Sequence, residues 1–321
     1  MIALATLAPE VYVREVLPKS ASLWAGNRDP DVYVAELLAI AQSGWGRRRF
    51  RTVGLRDDGA LVASCKRYAR VFRCGERKYT GAGIGAVFTP TELRGRGYAT
   101  ALLGAFLDAE RAAGSDFAYL FSDIHPAFYE RLGFVPLPSR AISLRADALP
   151  SDRLNLVTLG EDDDGAIRRT FDSLENRRAF SFVRSPLDWE WQRLRASSAE
   201  YAGAYVRLGV RRGRTLAAYV AGRRIPASDA FVLDEYAFAR LDDAPMLGPL
   251  LRSAAGDLRT VKGWLPPTVA RDALPAGAVR RRTSGISMIV PLSSPFRAAF
   301  SAQLAAIRKD RADVCWATDQ V

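Results

Sequence analysis

The chain has 321 residues, of which 49% are hydrophobic and 25% are charged. This composition is typical of a soluble globular protein, and the length suggests two domains of about 150 residues each. No apolar run reaches the roughly 20 residues of a membrane helix, and the N-terminal segment lacks the basic start of a signal peptide. The three cysteines have no metal-binding spacing and the chain has a single histidine, so no metal site is expected. This cysteine usage favours a reduced, cytoplasmic protein.

The net charge is +11, from 46 basic and 35 acidic residues. Such an excess favours an anionic partner: a nucleic acid, an anionic surface or a phosphate-bearing cofactor. The arginines form short clusters at 47–49, 211–212 and 280–282, without a continuous stripe interleaved with aromatic residues. Nucleic-acid binding is therefore not expected. Genome base composition explains the preference for arginine over lysine equally well.

The first half of the chain predicts two helices, three antiparallel strands and then helix, strand, helix. The two helices are expected at 8–24 and 31–42, and the three strands at 49–55, 61–72 and 79–89. Asp57-Asp58-Gly59 has the turn chemistry that joins the first two strands as a hairpin. The final strand or two of this half are expected within 133–144.

The stretch from Gly81 to Phe134 organises this half. Its first strand ends near Thr89, and the glycine-rich turn that follows leads into a helix that reaches about residue 113. A second apolar strand, at 117–121, precedes a short helix at 127–132. The pattern is strand, glycine-rich turn, helix, strand, helix.

The second half repeats a mixed order of hairpin, helix and strand. Weakly structured, polar residues at 146–152 place a boundary near residue 150, which gives predicted domains 1–150 and 151–321. Strands are expected at 205–210, 215–221, 231–238, 261–265, 287–290 and 314–318, and helices at 165–177, 187–198, 244–258 and 295–308. No glycine-rich turn follows the third of these strands.

Two motifs carry a resemblance to a known family. Arg94-x-x-Gly97-x-Ala99 matches the Q/R-x-x-G-x-G/A signature of the GNAT acetyltransferases, and the run from Phe128 to Phe134 resembles their second motif. The resemblance implies an α/β fold (α+β, with a mixed sheet), followed by a second GNAT-like α/β domain that lacks the cofactor motif.

Within the family, the chain resembles the fungal lysine N-acetyltransferase-like branch. The resemblance lies in Ala63-Ser64-Cys65, in G-x-G-x-V-F-T-P before the turn, in the run from Ser122 to Tyr129, and in the run from Pro138 to Leu144. Lysine as the acceptor does not follow from this resemblance.

The glycine-rich turn is the predicted cofactor site. The N–H groups and the dipole of a helix N-terminus suit a pyrophosphate, and glycines allow positive φ. A plain strand-to-helix connection is the alternative. The resemblance implies acetyl-CoA as cofactor, with the strand before the turn pairing with pantetheine and one N–H there stabilising the oxyanion. The expected binding residues are Val87, Phe88, Thr89, Arg94, Gly95, Arg96, Gly97, Tyr98, Ala99 and Thr100.

The resemblance also implies that Tyr129 protonates the departing thiolate, the alternative being a tyrosine that only packs in the core. Asp123 is a second candidate catalytic residue, with an Asx-turn cap as its alternative. His125 has a suitable pKa for a base but is more often an N-cap or a solvated residue. Glu92 is expected to be exposed. A water relay, a group from the second half or the carboxylate of Val321 stays open as the base.

Together these patterns predict an acetyl-CoA-dependent N-acetyltransferase. The acceptor is a primary amine, either a small molecule such as an amino acid or a lysine side chain, and the attack is direct, in a ternary complex. The second half is expected to form one wall of the acceptor cleft. A non-catalytic CoA-binding or regulatory protein of the same fold is the alternative. The sequence leaves the oligomeric state open.

Overall fold

The computed structural model describes residues 1–26, 28–198, 204–265, 273–310 and 315–320. Its strands are β1 (Ile2–Leu7), β2 (Phe50–Asp57), β3 (Ala60–Cys74), β4 (Arg77–Phe88), β5 (Phe117–Ser122), β6 (Val135–Pro136), β7 (Arg140–Arg145), β8 (Leu156–Thr158), β9 (Phe180–Phe182), β10 (Tyr205–Arg212), β11 (Thr215–Ile225), β12 (Ala230–Phe238), β13 (Thr260–Trp264), β14 (Val279–Arg281) and β15 (Ile286–Pro291). Its helices are α1 (Pro9–Glu15), α2 (Leu17–Trp24), α3 (Pro30–Gln42), α4 (Gly44–Arg49), α5 (Tyr98–Ala112), α6 (Ala127–Glu130), α7 (Asp164–Glu175), α8 (Pro186–Ala196), α9 (Leu247–Ala255) and α10 (Ser294–Asp310).

The first sheet has the strand order β1-β2-β3-β4-β5-β15-β6, and β9 pairs with β3 beside this path. Strands β1 to β4 are antiparallel, whereas β4 and β5 are parallel and joined by the crossover helix α5. Asp58 and Gly59 turn the β2–β3 hairpin with φ values of +46° and +84°. Two consecutive residues with positive φ give the turn that matches the twist of a hairpin.

The second sheet has the order β8-β10-β11-β12-β13-β7-β14. It repeats the first sheet's plan, with antiparallel strands up to β12 and a parallel β12–β13 pair joined by α9. The prediction of a mixed α/β fold with a second unit of similar order is confirmed.

Each half supplies strands to the sheet of the other half. From the first half, β7 pairs with β13 and β14. From the second half, β15 pairs with β5 and β6, and β9 pairs with β3. The residues expected to finish the first sheet therefore supply only β6 to it. The boundary near residue 150 stays a prediction, and backbone pairing ties the two halves together across it.

The two faces of the first sheet are covered by different helices. Helices α5 and α6 cover one face, where Phe106 and Tyr129 pack against the apolar side of the strands. Helices α1 to α3 cover part of the other face, where Tyr12 packs with Phe88. The second sheet has its own core, in which α7 and α9 pack against β11 and β12.

Several predicted elements need correction. The first predicted helix is two helices, α1 and α2, that meet at Val16. Strands β1, β9 and β14 and helix α4 were not predicted. The edge strand expected at 314–318 is wrong where the structure describes it, because Ala317–Asp319 forms a 3-10 turn. Across the described ranges, no helix has the length and apolar character needed to cross a bilayer.

Candidate active site

The first sheet opens between its two parallel strands. Paired residues of β4 and β5 run from Gly81–Phe117 to Ile84–Leu120. Beyond that point β4 continues to Phe88 and β5 to Ser122 without pairing to each other. Backbone N–H and C=O groups on the facing edges of this opening are therefore available to an extended ligand.

A β-bulge in β4 lies beside this opening. Lys66 of β3 pairs with Gly85, but Ser64 pairs with Phe88, so β4 carries an extra residue. Ala86 takes φ of +46°, which is uncommon for a residue other than glycine. A bulge changes the direction of the strand and of its side chains, and bulges are frequent beside active sites.

The glycine-rich turn ends at an open helix N-terminus. Gly95 and Gly97 have φ values of +79° and +82°, and a Cβ at either position would meet nothing within 4 Å. Glycine is therefore required there by backbone conformation and not by space. No side chain caps α5, so the first-turn N–H groups of Tyr98, Ala99 and Thr100 face an exposed turn. Such a terminus suits an anion.

The remaining predicted cofactor residues differ in what they expose. Arg94 and Arg96 are exposed, and the Arg94 Nε donates to Thr89 O at 3.3 Å. Phe88 turns its ring into the core beside Trp24, so only its backbone can contact a ligand. The Thr89 hydroxyl is buried and makes no hydrogen bond to any described residue.

Tyr98 has a different role for its side chain. Its hydroxyl donates to Asp57 Oδ2 at 3.1 Å and so ties the start of α5 to strand β2. Val87 is half-buried and packs with the apolar residues on the α5 face. Because the Tyr98 hydroxyl bonds to Asp57, Tyr98 can offer a ligand only its backbone.

Tyr129 lies in α6, on the same face of the sheet as α5. Its ring packs edge-on against Phe128 and Phe134, and only 8% of the residue is exposed. Burial, followed by the nearby Asp123 carboxylate and Cys65 thiol, raises the pKa of Tyr129 to about 12. The phenol is therefore protonated at neutral pH, as a proton donor must be.

Asp123 and His125 lie at the end of β5 and line a groove of about 880 Å³ with Arg281 and Thr283. The Gly285 N–H donates to Asp123 Oδ1 at 2.9 Å, so Asp123 anchors the turn before β15. The Ala127 N–H donates to His125 Nδ1 at 3.3 Å. This contact holds the His125 ring beside the start of α6, although Pro126 and not His125 is the N-cap of this helix.

Two further candidates for the base lie away from the opening or outside the described residues. Glu92 is exposed, as expected, and pairs with Lys19 at 3.5 Å. Val321, whose carboxylate was one option, lies outside the described residues. The segment before it is tied into the second half, where Thr318 and Asp319 bind Arg184.

Sequence reasoning missed a cluster of buried polar side chains on the α1–α3 face of the first sheet, Tyr12, Ser64, Lys66 and Tyr68, which we call the polar cluster. Lys66 and Tyr68 of β3 stand on this face, opposite Gly85 and Gly83 of β4. Tyr12 of α1 lies above them, 5.7 Å from the Lys66 Nζ to its ring centroid. A lysine inside a mostly apolar strand is the signal that could have identified this face.

The first half also matches a known family model. Residues 27–137 match the model of the acetyltransferase (GNAT) domain, a range that contains the opening, the glycine-rich turn and Tyr129. This match to a GNAT acetyltransferase domain supports an acyltransferase whose reaction depends on an acyl-CoA.

Solved structures share the fold of nearly the whole chain. A GCN5-related N-acetyltransferase from Kribbella flavida has a TM-score of 0.69 at 17% identity, covering 92% of this chain and 73% of its own. A tandem GNAT protein from the clavulanic acid biosynthesis pathway has a TM-score of 0.53 at 13% identity, covering 91% and 99%. Saccharomyces cerevisiae N-myristoyltransferase with bound myristoyl-CoA has a TM-score of 0.57 at 11% identity, covering 90% and 78%.

No curated protein matches the chain. The tandem GNAT protein fits the arrangement of two similar sheets described above. The identities are low, so these structures support the fold and leave the branch within the family unassigned.

Proposed function

We propose that the protein is an N-acetyltransferase that moves the acetyl group of acetyl-CoA to a primary amine. The observation that carries this proposal is the open β4–β5 edge, which ends at the uncapped N-terminus of α5. An extended pantetheine fits the open strand edge, and a pyrophosphate fits the helix N-terminus.

The cofactor would follow the residues that the sequence singled out. The backbone of Val87, Phe88 and Thr89 would pair with the amides of the pantetheine arm. The first-turn N–H groups of α5, from Tyr98 to Thr100, would bind the pyrophosphate together with the turn from Arg94 to Gly97. The exposed guanidinium groups of this turn add positive charge. A related structure holds myristoyl-CoA, which supports an acyl-CoA in a fold of this kind.

The chemistry would proceed by direct attack. The neutral amine adds to the thioester carbonyl, and a backbone N–H at the β4 bulge stabilises the oxyanion. The attacking nitrogen then releases a proton to water, and the C–S bond breaks. The departing thiolate takes the phenolic proton of Tyr129, which is later restored from solvent. The catalytic role of Asp123 stays a prediction; its anchoring bond to Gly285 makes it a positioning residue for this end of the sheet.

The cysteine nearest this site argues against a covalent acetyl-enzyme. Cys65 is buried on the α5 face, and burial raises the pKa of its thiol to about 12. A thiol of this pKa carries very little thiolate at neutral pH, and the thiolate is the nucleophile. This supports a ternary complex over a ping-pong reaction.

The finer assignments are proposals of the same kind. The acceptor is a primary amine, either a small molecule such as an amino acid or a lysine side chain. The three free, buried cysteines support a cytoplasmic location.

The test is incubation of the full chain with acetyl-CoA and a panel of amines, followed by measurement of free thiol. Amine-dependent thiol release with intersecting initial-rate plots is the expected result. Thermal stabilisation by CoA without release for any amine would favour a non-catalytic CoA-binding protein instead. If neither CoA nor acetyl-CoA raises the melting temperature, the cofactor assignment is wrong.

A further inference from the structure

Lys66 is a buried cation without a counter-ion among the described residues. Its residue is 8% exposed, and no hydrogen bond or ion pair joins its ammonium group to the part of the chain that the structure describes. Burying an unpaired charge is costly, so such a group calls for a partner.

The acids near Lys66 along the chain and on the covering helices have their own partners. Glu36 of α3 pairs with Arg28 at 3.1 Å. Further along β3, Arg70 is paired with Asp188 at 2.9 Å. Burial, and then the charge of Arg28, lower the pKa of Lys66 to about 8.

Buried hydroxyl groups stand on the same face. Ser64 lies two residues from Lys66 along β3, and its hydroxyl makes no hydrogen bond to any described residue. The Tyr12 and Ser20 hydroxyls lie next to each other and bond no other group in the described ranges. A hydrogen bond between two adjacent hydroxyls uses only one of their two O–H donors, so at least one O–H group has no acceptor. Buried donors are normally satisfied, and these await an acceptor oxygen.

This polar cluster adjoins the place where the proposed thioester would lie. Lys66 pairs with Gly85, immediately before the bulged Ala86, and Ser64 pairs with Phe88 immediately after the bulge. Both side chains therefore stand beside the β4–β5 opening, on the face opposite α5 and Tyr129. An acceptor that reaches the thioester from this face passes Lys66.

We infer that Lys66, with the hydroxyls of Ser64 and Tyr12, binds a carboxylate of the acceptor, so that the acceptor class is an amine that carries a carboxylate, such as an amino acid. The inference rests on the proposed function, because it assigns the polar cluster to binding of the acceptor. A carboxylate supplies both the missing counter-ion and the missing acceptor oxygens. A neutral amine would leave the ammonium group unpaired.

The test uses four amino acids and their carboxamides: glycine, L-leucine, L-phenylalanine and L-lysine. Each compound is titrated, in the presence of saturating CoA, into wild type, Lys66→Met, Lys66→Arg and Lys78→Met, with the melting temperature as the readout. Lys78 is an exposed lysine of β4 and serves as the matched control. Where thiol release from acetyl-CoA is detected, KM and kcat are measured for each amino acid and its amide.

We expect at least one amino acid to stabilise wild type and Lys78→Met more than its amide does. Lys66→Met should weaken that binding, or raise that KM, about tenfold or more, with little change for the amide, since a charge-assisted hydrogen bond is lost. Lys66→Arg should retain part of the preference because it keeps the positive charge.

The outcomes separate this inference from the proposed function. Carboxylate binding that requires Lys66, without thiol release for any amine, would support the carboxylate site and overturn the transferase chemistry. Thiol release that is as fast with amides, and unchanged by Lys66→Met, would overturn the carboxylate site and leave the transferase standing. If no amino acid stabilises wild type more than its amide, the carboxylate site is likewise wrong.

Discussion

The two sheets share one strand order, but they differ in the turn that leads into the helix after the fourth strand. In the first sheet, α5 begins at an exposed glycine turn without a side-chain cap. In the second, the turn before α9 is filled by Asp243, which is fully buried and accepts from the Arg240 N–H at 3.2 Å. The second unit thus has a buried carboxylate in the 3-10 turn before α9, whereas the turn before α5 is exposed and suits an anion.

The buried charges differ in the same way. In the second half, Arg184 contacts Glu235 at 2.5 Å and Asp319 at 3.0 Å. The Tyr219 and Thr318 hydroxyls donate to the same glutamate. In the first half, Lys66 and its neighbouring hydroxyls have no such partners among the described residues. A closed network indicates a structural role, and an open one indicates a ligand site.

The largest effect is expected from breaking the closed network. Arg184→Met leaves the Glu235 and Asp319 carboxylates buried without a cation, so we expect a loss of about 4 kcal/mol in the free energy of unfolding. Urea denaturation measures it. Arg240→Met removes an exposed arginine as the control and should change stability by less than about 0.5 kcal/mol. A loss at Arg184 as small as the control's would contradict a structural role for this network.

Removal of the proposed proton donor is expected to have the next largest effect. Tyr129→Phe keeps the ring packing but removes the phenol, so kcat should fall about 100-fold while the thermal shift with CoA persists. Tyr79→Phe, a buried tyrosine elsewhere in the first sheet, is the control. Because the pKa of Tyr129 is about 12, loss of its proton should not depress the rate between pH 7 and about 10. Unchanged turnover in Tyr129→Phe would exclude it as the acid.

Lys66→Met should stabilise the unliganded protein. The folded-state pKa of Lys66, about 8, lies below its ordinary value, so folding disfavours the charged form. Below pH 8 the full penalty is present, and wild-type stability should rise with pH from about 8 to 10 as the folded state releases this proton. We expect Lys66→Met to gain about 2 kcal/mol at pH 7 and progressively less towards pH 10. Denaturation curves across this pH range test the prediction, and a gain that does not depend on pH would contradict it.

The smallest effect on stability is expected from adding a carboxylate at the N-terminus of α5. Thr100→Glu places a carboxylate in the first turn of α5, where the dipole should stabilise it by about 0.5 kcal/mol. The same carboxylate should repel the pyrophosphate and reduce CoA affinity at least about tenfold. Ala109→Glu adds the same charge at an exposed site further along α5 and should leave the affinity unchanged. Equal CoA affinities in the two variants would place the pyrophosphate elsewhere.

The local parts of this site could be predicted from the sequence. Positive φ at Gly95 and Gly97, and the helix that follows, depend on neighbouring residues, so the turn is readable as a motif. The position of Tyr129 in a short helix follows from the same kind of local signal. Their confirmed positions do not assign their roles, which remain proposals.

The non-local parts could not be predicted. Strands β7 and β15 are short, and either would complete either sheet, so their exchange is decided by tertiary packing. The face on which Lys66 stands depends on pairing across the bulge at Ala86, which sequence periodicity does not show. The predicted edge strand failed because the Asp319 side chain accepts the Trp316 N–H at 3.1 Å, a local bond that favours a turn.

A structure determined with CoA bound tests the central difference between the two sheets most directly. We predict one CoA per chain, with pantetheine in the opening beyond Ile84 and Leu120 and the pyrophosphate at the first-turn N–H groups of α5. A CoA molecule bound beside β12 and α9, or a site near α5 that stays empty at saturating CoA, would contradict this prediction.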